Sequence, residues 1–156
     1  MSSKTRWALL LGGALVLGAC SDSTEPPERI VTSLRCEPGG TDEFNCAMEF
    51  QEEGSLHLKL ETFTCLARGN TVRVLQPVQT VLSTDACYLP QGTTWDFAGP
   101  YPPGTMVEIE FASARLENPA GLRLEGDYPE WVVNFEDGGD DDFNDLVLTV
   151  TVDPSG

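Results

Sequence analysis

WVVNFEDGGDDDFNDLVLTVTV, residues 131–152, contains two apolar alternations separated by a dense run of acid. Trp131, Val133 and Phe135 occupy every second position, and Leu146, Leu148, Val150 and Val152 do the same further on. Period two sends successive side chains to opposite faces of an extended chain, so residues 131–136 and 146–152 read as strands with one buried face. The nine residues 137–145 between them (DGGDDDFND) are then a strand-to-strand connection.

The same pattern runs outward through the chain. Phe44, Cys46, Met48 and Phe50 share one phase, as do Leu56, Leu58 and Leu60, and Val107, Ile109 and Phe111 alternate with Glu108 and Glu110. No stretch of the mature sequence carries a helical period. Turn-forming residues punctuate the runs at Pro38-Gly39-Gly40, Gly54-Ser55, Gly69-Asn70, Pro90-Gln91-Gly92, Pro102-Pro103-Gly104 and Asn118-Pro119-Ala120-Gly121. Seven to nine short strands at this spacing predict an all-β fold, an antiparallel β-sandwich, with a small β-barrel as the second choice. His57, the one histidine, alternates with Leu56 and Leu58 and shares its face with Lys59 and Glu61, so it reads as a solvent-facing strand residue. Ser-His and Cys-His mechanisms lose their base with it.

The N-terminus is written differently. Lys4 and Arg6 precede an uncharged apolar run, Trp7 to Leu17, that is short for a membrane span, and small residues then lead to Cys20. This is the order of an export signal, and Leu17-Gly18-Ala19-Cys20 resembles a bacterial lipobox. That resemblance implies a signal peptide over 1–19, lipid on Cys20, and a protein held by its anchor to the bacterial cell envelope. The outer membrane or cell surface is expected over the inner membrane. Residues 20–33 are polar, with Pro26-Pro27, and read as a tether. Residues 34–156, about 120 residues, suffice for one domain with a real core and not for two.

The formal charge is −16, and loss of residues 1–19 removes Lys4 and Arg6 but no acid, giving −18. Nucleic acid and anionic headgroups repel such a chain, so neither is an expected partner beyond the lipid anchor itself. Cysteines 36, 46, 65 and 87 remain besides Cys20; an even number in an exported domain predicts two disulfides. Three pairings are possible, and Cys36–Cys46 with Cys65–Cys87 closes the most local loops. No C-x-x-C occurs, and one histidine is too few to build a zinc site with these cysteines.

The acidic connection asks for a cation. From Glu125 to Asp153 there are ten acids and no base. Two like charges about 4 Å apart repel by roughly 1 kcal/mol in water and several-fold more in a lower dielectric. Only hard oxygen donors are present in the loop, which favours calcium or magnesium over zinc or copper. Calcium's tolerance of irregular six-to-eight-oxygen shells makes it the expected ion. Asp140-x-Asp142-x-Asn144 has the alternating oxygens of a calcium loop, but without flanking helices or a closing glutamate it is not an EF-hand. Gly138 and Gly139 permit a sharp backbone turn, and Phe143 is expected to enter the edge of the core and pin the loop.

Phe135-Glu136-Asp137 followed by Gly138-Gly139-Asp140-Asp141-Asp142-Phe143-Asn144-Asp145-Leu146-Val147 resembles the FED…GGD-x-D-[FY]-N-D signature of a bacterial exported domain family of unknown function. Such domains occur in adhesins and surface-anchored proteins, and the stretch is similar to the DFND segment of LruC-type domains. Tyr101-Pro102-Pro103-Gly104-Thr105 and the strand after it also resemble the family, so the likeness covers about residues 93–152. It implies a β-rich domain with calcium held by Glu136, Asp137, Asp140, Asp142, Asn144 and Asp145, while Asp141 falls on a variable position. The chain departs from the pattern in lacking a Leu-Pro-like insertion after Asp137. No activity accompanies the family.

These readings predict a non-enzymatic binding or adhesion module for a glycan or another envelope protein. A calcium-stabilised structural envelope protein is the second reading. A carboxylate- or metal-dependent hydrolase is the third, disfavoured because its acids crowd one loop instead of facing each other across a cleft. Tyr88, Trp95 and Tyr101 lie in turn-rich segments where they could stack on a sugar, although packing is the commoner role there.

Overall fold

A computed structural model describes residues 33–62, 64, 69–85, 88–114, 120–137 and 140–155. The signal and most of the tether, including Cys20, lie outside these residues, as do Cys65, Cys87, Gly138 and Gly139. Ten strands form: β1 (Arg35–Pro38), β2 (Glu43–Glu49), β3 (Gly54–Thr62), β4 (Thr71–Gln76), β5 (Thr80–Ser83), β6 (Thr94–Tyr101), β7 (Met106–Ala112), β8 (Gly121–Asp127), β9 (Glu130–Glu136) and β10 (Leu146–Pro154). They make two five-stranded antiparallel sheets, ordered β1-β2-β7-β4-β5 and β6-β3-β10-β9-β8. No α-helix occurs among the described residues.

The expected alternation decides which faces meet. Cys46, Met48, Val72, Val74, Val107, Ile109 and Phe111 of the first sheet are buried in one cluster with Leu56, Leu58, Leu60, Trp131, Val133, Phe135, Leu146, Leu148, Val150 and Val152 of the second. The fold is the sandwich, and each fully buried side chain of this size contributes about 1.5–3 kcal/mol toward holding it. The count exceeds seven to nine because two hairpins carry weak turn signals. Gln76 and Thr80 are joined through Pro77-Val78-Gln79, and Asp127 and Glu130 through Tyr128-Pro129. Gly54-Ser55, read as a turn, instead opens β3, with Gly54 opposite Pro154 on one side and Tyr101 on the other.

Cys36 and Cys46 face each other in the β1–β2 register and form a disulfide. The expected second pair, Cys65–Cys87, falls outside the described residues. β9 and β10 are adjacent and antiparallel, pairing Phe135 with Leu146. The acidic connection therefore sits at one end of the sandwich, just above the stacked rings of Phe111 and Phe135, whose centroids are 5.9 Å apart.

Candidate metal centre

The three acids nearest the strand ends are taken out of water. Glu136, Asp137 and Asp145 are 1%, 0% and 1% exposed. A carboxylate oxygen from each lies within 4.8 Å of one from each of the others. Two oxygens bonded to one calcium at 2.3–2.6 Å are separated by at most about 5 Å, so this grouping is within the reach of a single ion. Glu136 also belongs to a second, outer group with Asp140 and Asp142, both exposed, under the same 4.8 Å limit.

Backbone geometry explains the convergence. Asp141 and Phe143 both adopt the left-handed region, at φ 66° and 59°. That is costly for a side chain as large as phenylalanine and tends to occur where surrounding contacts hold it. The kinks fold the loop back over Glu136, whose Oε1 accepts the Asp140 amide at 3.3 Å and whose Oε2 accepts the Phe143 amide at 3.1 Å. At the loop's base the Asp137 amide donates to Asp145 Oδ2 at 2.8 Å, closing 137 onto 145. Asn144 donates its backbone and side-chain nitrogens to Asp142, and its own Oδ1 is buried without a hydrogen-bond partner among the described residues.

Electrostatics register the crowding. Burial pushes Asp145 up to about 7, helped by its hydrogen bond with Glu136 and by the charges of Asp137 and Glu136. Asp140 is raised too, first by loss of solvent and then by the charge of Asp142. A site that draws a proton onto an aspartate near neutral pH equally rewards any other cation that fits among its oxygens.

The six residues expected as ligands thus gather at one end of the sandwich, Glu136 at the end of β9 and the other five in the connection after it, but they divide. Glu136, Asp137 and Asp145 form a buried set, Asp140 and Asp142 an exposed one sharing Glu136, and Asn144 leans on Asp142. Asp141, expected to stand aside, belongs to neither set. Phe143 does not enter the core. Its ring lies on the outer face of β8, against the space that Gly121 leaves by lacking a Cβ, with the Arg123 guanidinium 3.6 Å from its centroid. A Cβ at Gly121 would stand 3.0 Å from that ring.

The opposite sheet also reaches the site, which the sequence pattern did not reveal. Asn70, read only as part of a turn, is 0% exposed and donates from Nδ2 to Asp137 Oδ2 at 3.2 Å across 67 positions of sequence. Ser113, just past β7, donates its hydroxyl to the Asp137 carbonyl at 3.2 Å. Gly-Asn is ordinary turn composition, so only the packing of one sheet end on the other exposes this role.

Away from the loop, His57 is half-exposed between two aspartates: Nδ1 is 2.7 Å from Asp96 and Nε2 is 3.2 Å from Asp153. This is the solvent-facing strand position expected for it. Of the three aromatic candidates for sugar stacking, Trp95 and Tyr101 pack against the core, and Tyr88 is exposed.

Fold and loop together describe a class: a β-sandwich closed at one end by a buried, strand-flanked carboxylate cluster. Comparison of the chain with family models, with curated proteins and with solved structures returned no match.

Proposed function

We propose that this chain is a lipid-anchored protein of the bacterial cell envelope whose β-sandwich binds calcium and serves as a non-enzymatic binding or adhesion module for a glycan or envelope protein. The anchor rests on the apolar N-terminal run ending at Cys20. The adhesion role rests on the resemblance of residues 135–147 to exported surface domains. The observation that carries the calcium reading is the burial of Glu136, Asp137 and Asp145 with their oxygens within one ion's reach. Calcium neutralises the cluster and fixes the loop between β9 and β10, presenting the neighbouring surface in one shape.

Thermal unfolding in calcium and in chelator, at matched ionic strength, tests the metal. Extracellular calcium modules bind at about 10⁻⁴–10⁻³ M. At 10 mM calcium the stabilisation is then about 1.4–2.7 kcal/mol, or roughly 5–15 °C in Tm. An unmoved Tm rejects the reading.

A second reading, calcium as a purely structural clamp, is favoured by the packing of Trp95 and Tyr101 against the core, which withdraws two of three stacking candidates. A glycan array probed with calcium and with chelator separates the two: calcium-dependent capture supports a binding module, and silence supports the clamp. Turnover of a glycan or phosphoester by the purified protein would replace both with a hydrolase.

A further inference from the structure

We infer that Asn70 is a calcium ligand contributed by the opposite sheet, so that the ion clasps the two sheets together at this end of the sandwich. The inference rests on the calcium reading of the acidic loop and adds to it a ligand from outside the loop.

Three observations converge on this residue. Asn70 is completely buried, and its Oδ1 has no hydrogen-bond partner among the described residues. A buried amide oxygen left in this condition costs about 1–3 kcal/mol, so it marks a position where a further contact is expected. The same amide already touches the cluster, with Nδ2 3.2 Å from Asp137 Oδ2. A half-turn about the bond to the amide carbon exchanges the two atoms and brings Oδ1 to where Nδ2 stands. Two oxygens about 3 Å apart are the normal edge of a calcium shell, and amide carbonyls are ordinary calcium ligands. One side chain thus has two uses: its nitrogen donates a hydrogen bond to the carboxylate in the present arrangement, and its oxygen lends a lone pair to the cation when calcium enters.

The backbone holds Asn70 to this task. Gly69 before it lies at φ +94°, and a Cβ there would stand 2.8 Å from the Ala114 Cβ, so the chain passes too closely for any other residue. Thr71 after it begins β4 and pairs with Ala112 at the end of β7. Asn70 is therefore tied to the first sheet, whereas Glu136, Asp137 and Asp145 belong to the β9–β10 end of the second. An ion shared among them resists separation of the sheets, which loop ligands alone would not do. It also makes the shell larger than three carboxylates, in keeping with calcium's preference for six to eight oxygens over magnesium's tight octahedron.

Isothermal titration of the purified protein with calcium chloride tests the assignment, using wild type, Asn70→Ala and Asn70→Asp. Asn70→Ala is expected to weaken binding by about tenfold or more. Asn70→Asp loses the amide N–H donor but offers carboxylate oxygens to the ion, so it is expected to bind within about threefold of wild type or more tightly. Equal weakening in both variants overturns the ligand role, because it would mean that Asn70 acts only by holding Asp137. Wild-type affinity in Asn70→Ala overturns the inference and leaves the loop site standing. Absence of heat from wild type removes the loop site as well. If Asn70→Ala fails to fold, Asn70→Asp decides alone, and weakening beyond tenfold overturns the assignment.

Discussion

Glu110 and Glu136 are both buried carboxylates on strands of the same molecule, and their surroundings are opposite. Glu110, on β7, meets Arg73 directly across the β4–β7 register, and both Nε and a terminal nitrogen of the guanidinium reach its Oε1. Glu136, at the end of β9, is grouped with Asp137 and Asp145 and, in a second set, with Asp140 and Asp142. The first site is balanced by a base encoded in the sequence. The second collects like charge, accepts backbone amides, and pushes one of its members toward protonation. Compensation built into the chain yields stability that is indifferent to solution ions. Compensation drawn from solution would make the fold responsive to its surroundings, and under the proposed function calcium, a hard cation suited to oxygen donors, is the ion that would supply it.

The largest effect that separates the two sites is expected from Asp145→Ala. It should abolish the Tm shift of roughly 5–15 °C produced by 10 mM calcium, measured against chelator. A shift equal to wild type would move the ion out of the buried group.

The next expected effect is in pH. Asp145 titrates near 7 in the folded protein against an ordinary value of 3.8. A raised folded value means the folded state keeps a proton that the unfolded chain gives up. The group's contribution is therefore full below about pH 4 and is lost as pH rises through about 7. In chelator, denaturant midpoints of wild type should fall over that window more steeply than those of Asp145→Ala. With calcium present the difference should vanish, since the ion takes the proton's place. Parallel profiles in chelator would count against the crowding described here.

Arg73→Ala is expected to destabilise by about 1–2 kcal/mol, less than for a fully buried pair because the arginine is half-exposed. The loss should be the same with calcium and with chelator. A calcium-dependent loss would show that the two carboxylate sites are coupled. Smallest of all, Asp141→Asn should change neither stability nor the calcium shift by more than about 0.5 kcal/mol. Asparagine tolerates the left-handed backbone at that position, so the substitution tests charge alone. A lost shift would make Asp141 a ligand.

How much could be read beforehand differs by the range of the interaction. Alternation in residues 131–136 and 146–152 located β9 and β10 to within about two residues, because a buried face imposes period two locally. That the loop concentrates hard oxygen donors is also legible, since its composition carries it, while the separate place of Asp141, outside both acid groups of the structure, is what the family resemblance implies. Pro77 and Pro129 hid two hairpins, as neither turn has the Asn-Gly or Asp-Gly composition that announces a tight connection. The division of the acids into buried and exposed sets depends on left-handed residues at Asp141 and Phe143, which composition does not foretell. A lone aromatic among acids suggests core insertion for Phe143, whereas a glycine and an arginine on β8 provide its seat outside. Asn70 was invisible as a site residue because its partner lies 67 positions away on the other sheet.

A crystal structure grown in 10 mM calcium tests the central claim most directly. An anomalous-scattering ion is expected, bonded at about 2.3–2.6 Å to oxygens of Glu136, Asp137 and Asp145. Buried carboxylates without an ion between them at that concentration, or an ion held by Asp140 and Asp142 alone, would contradict it.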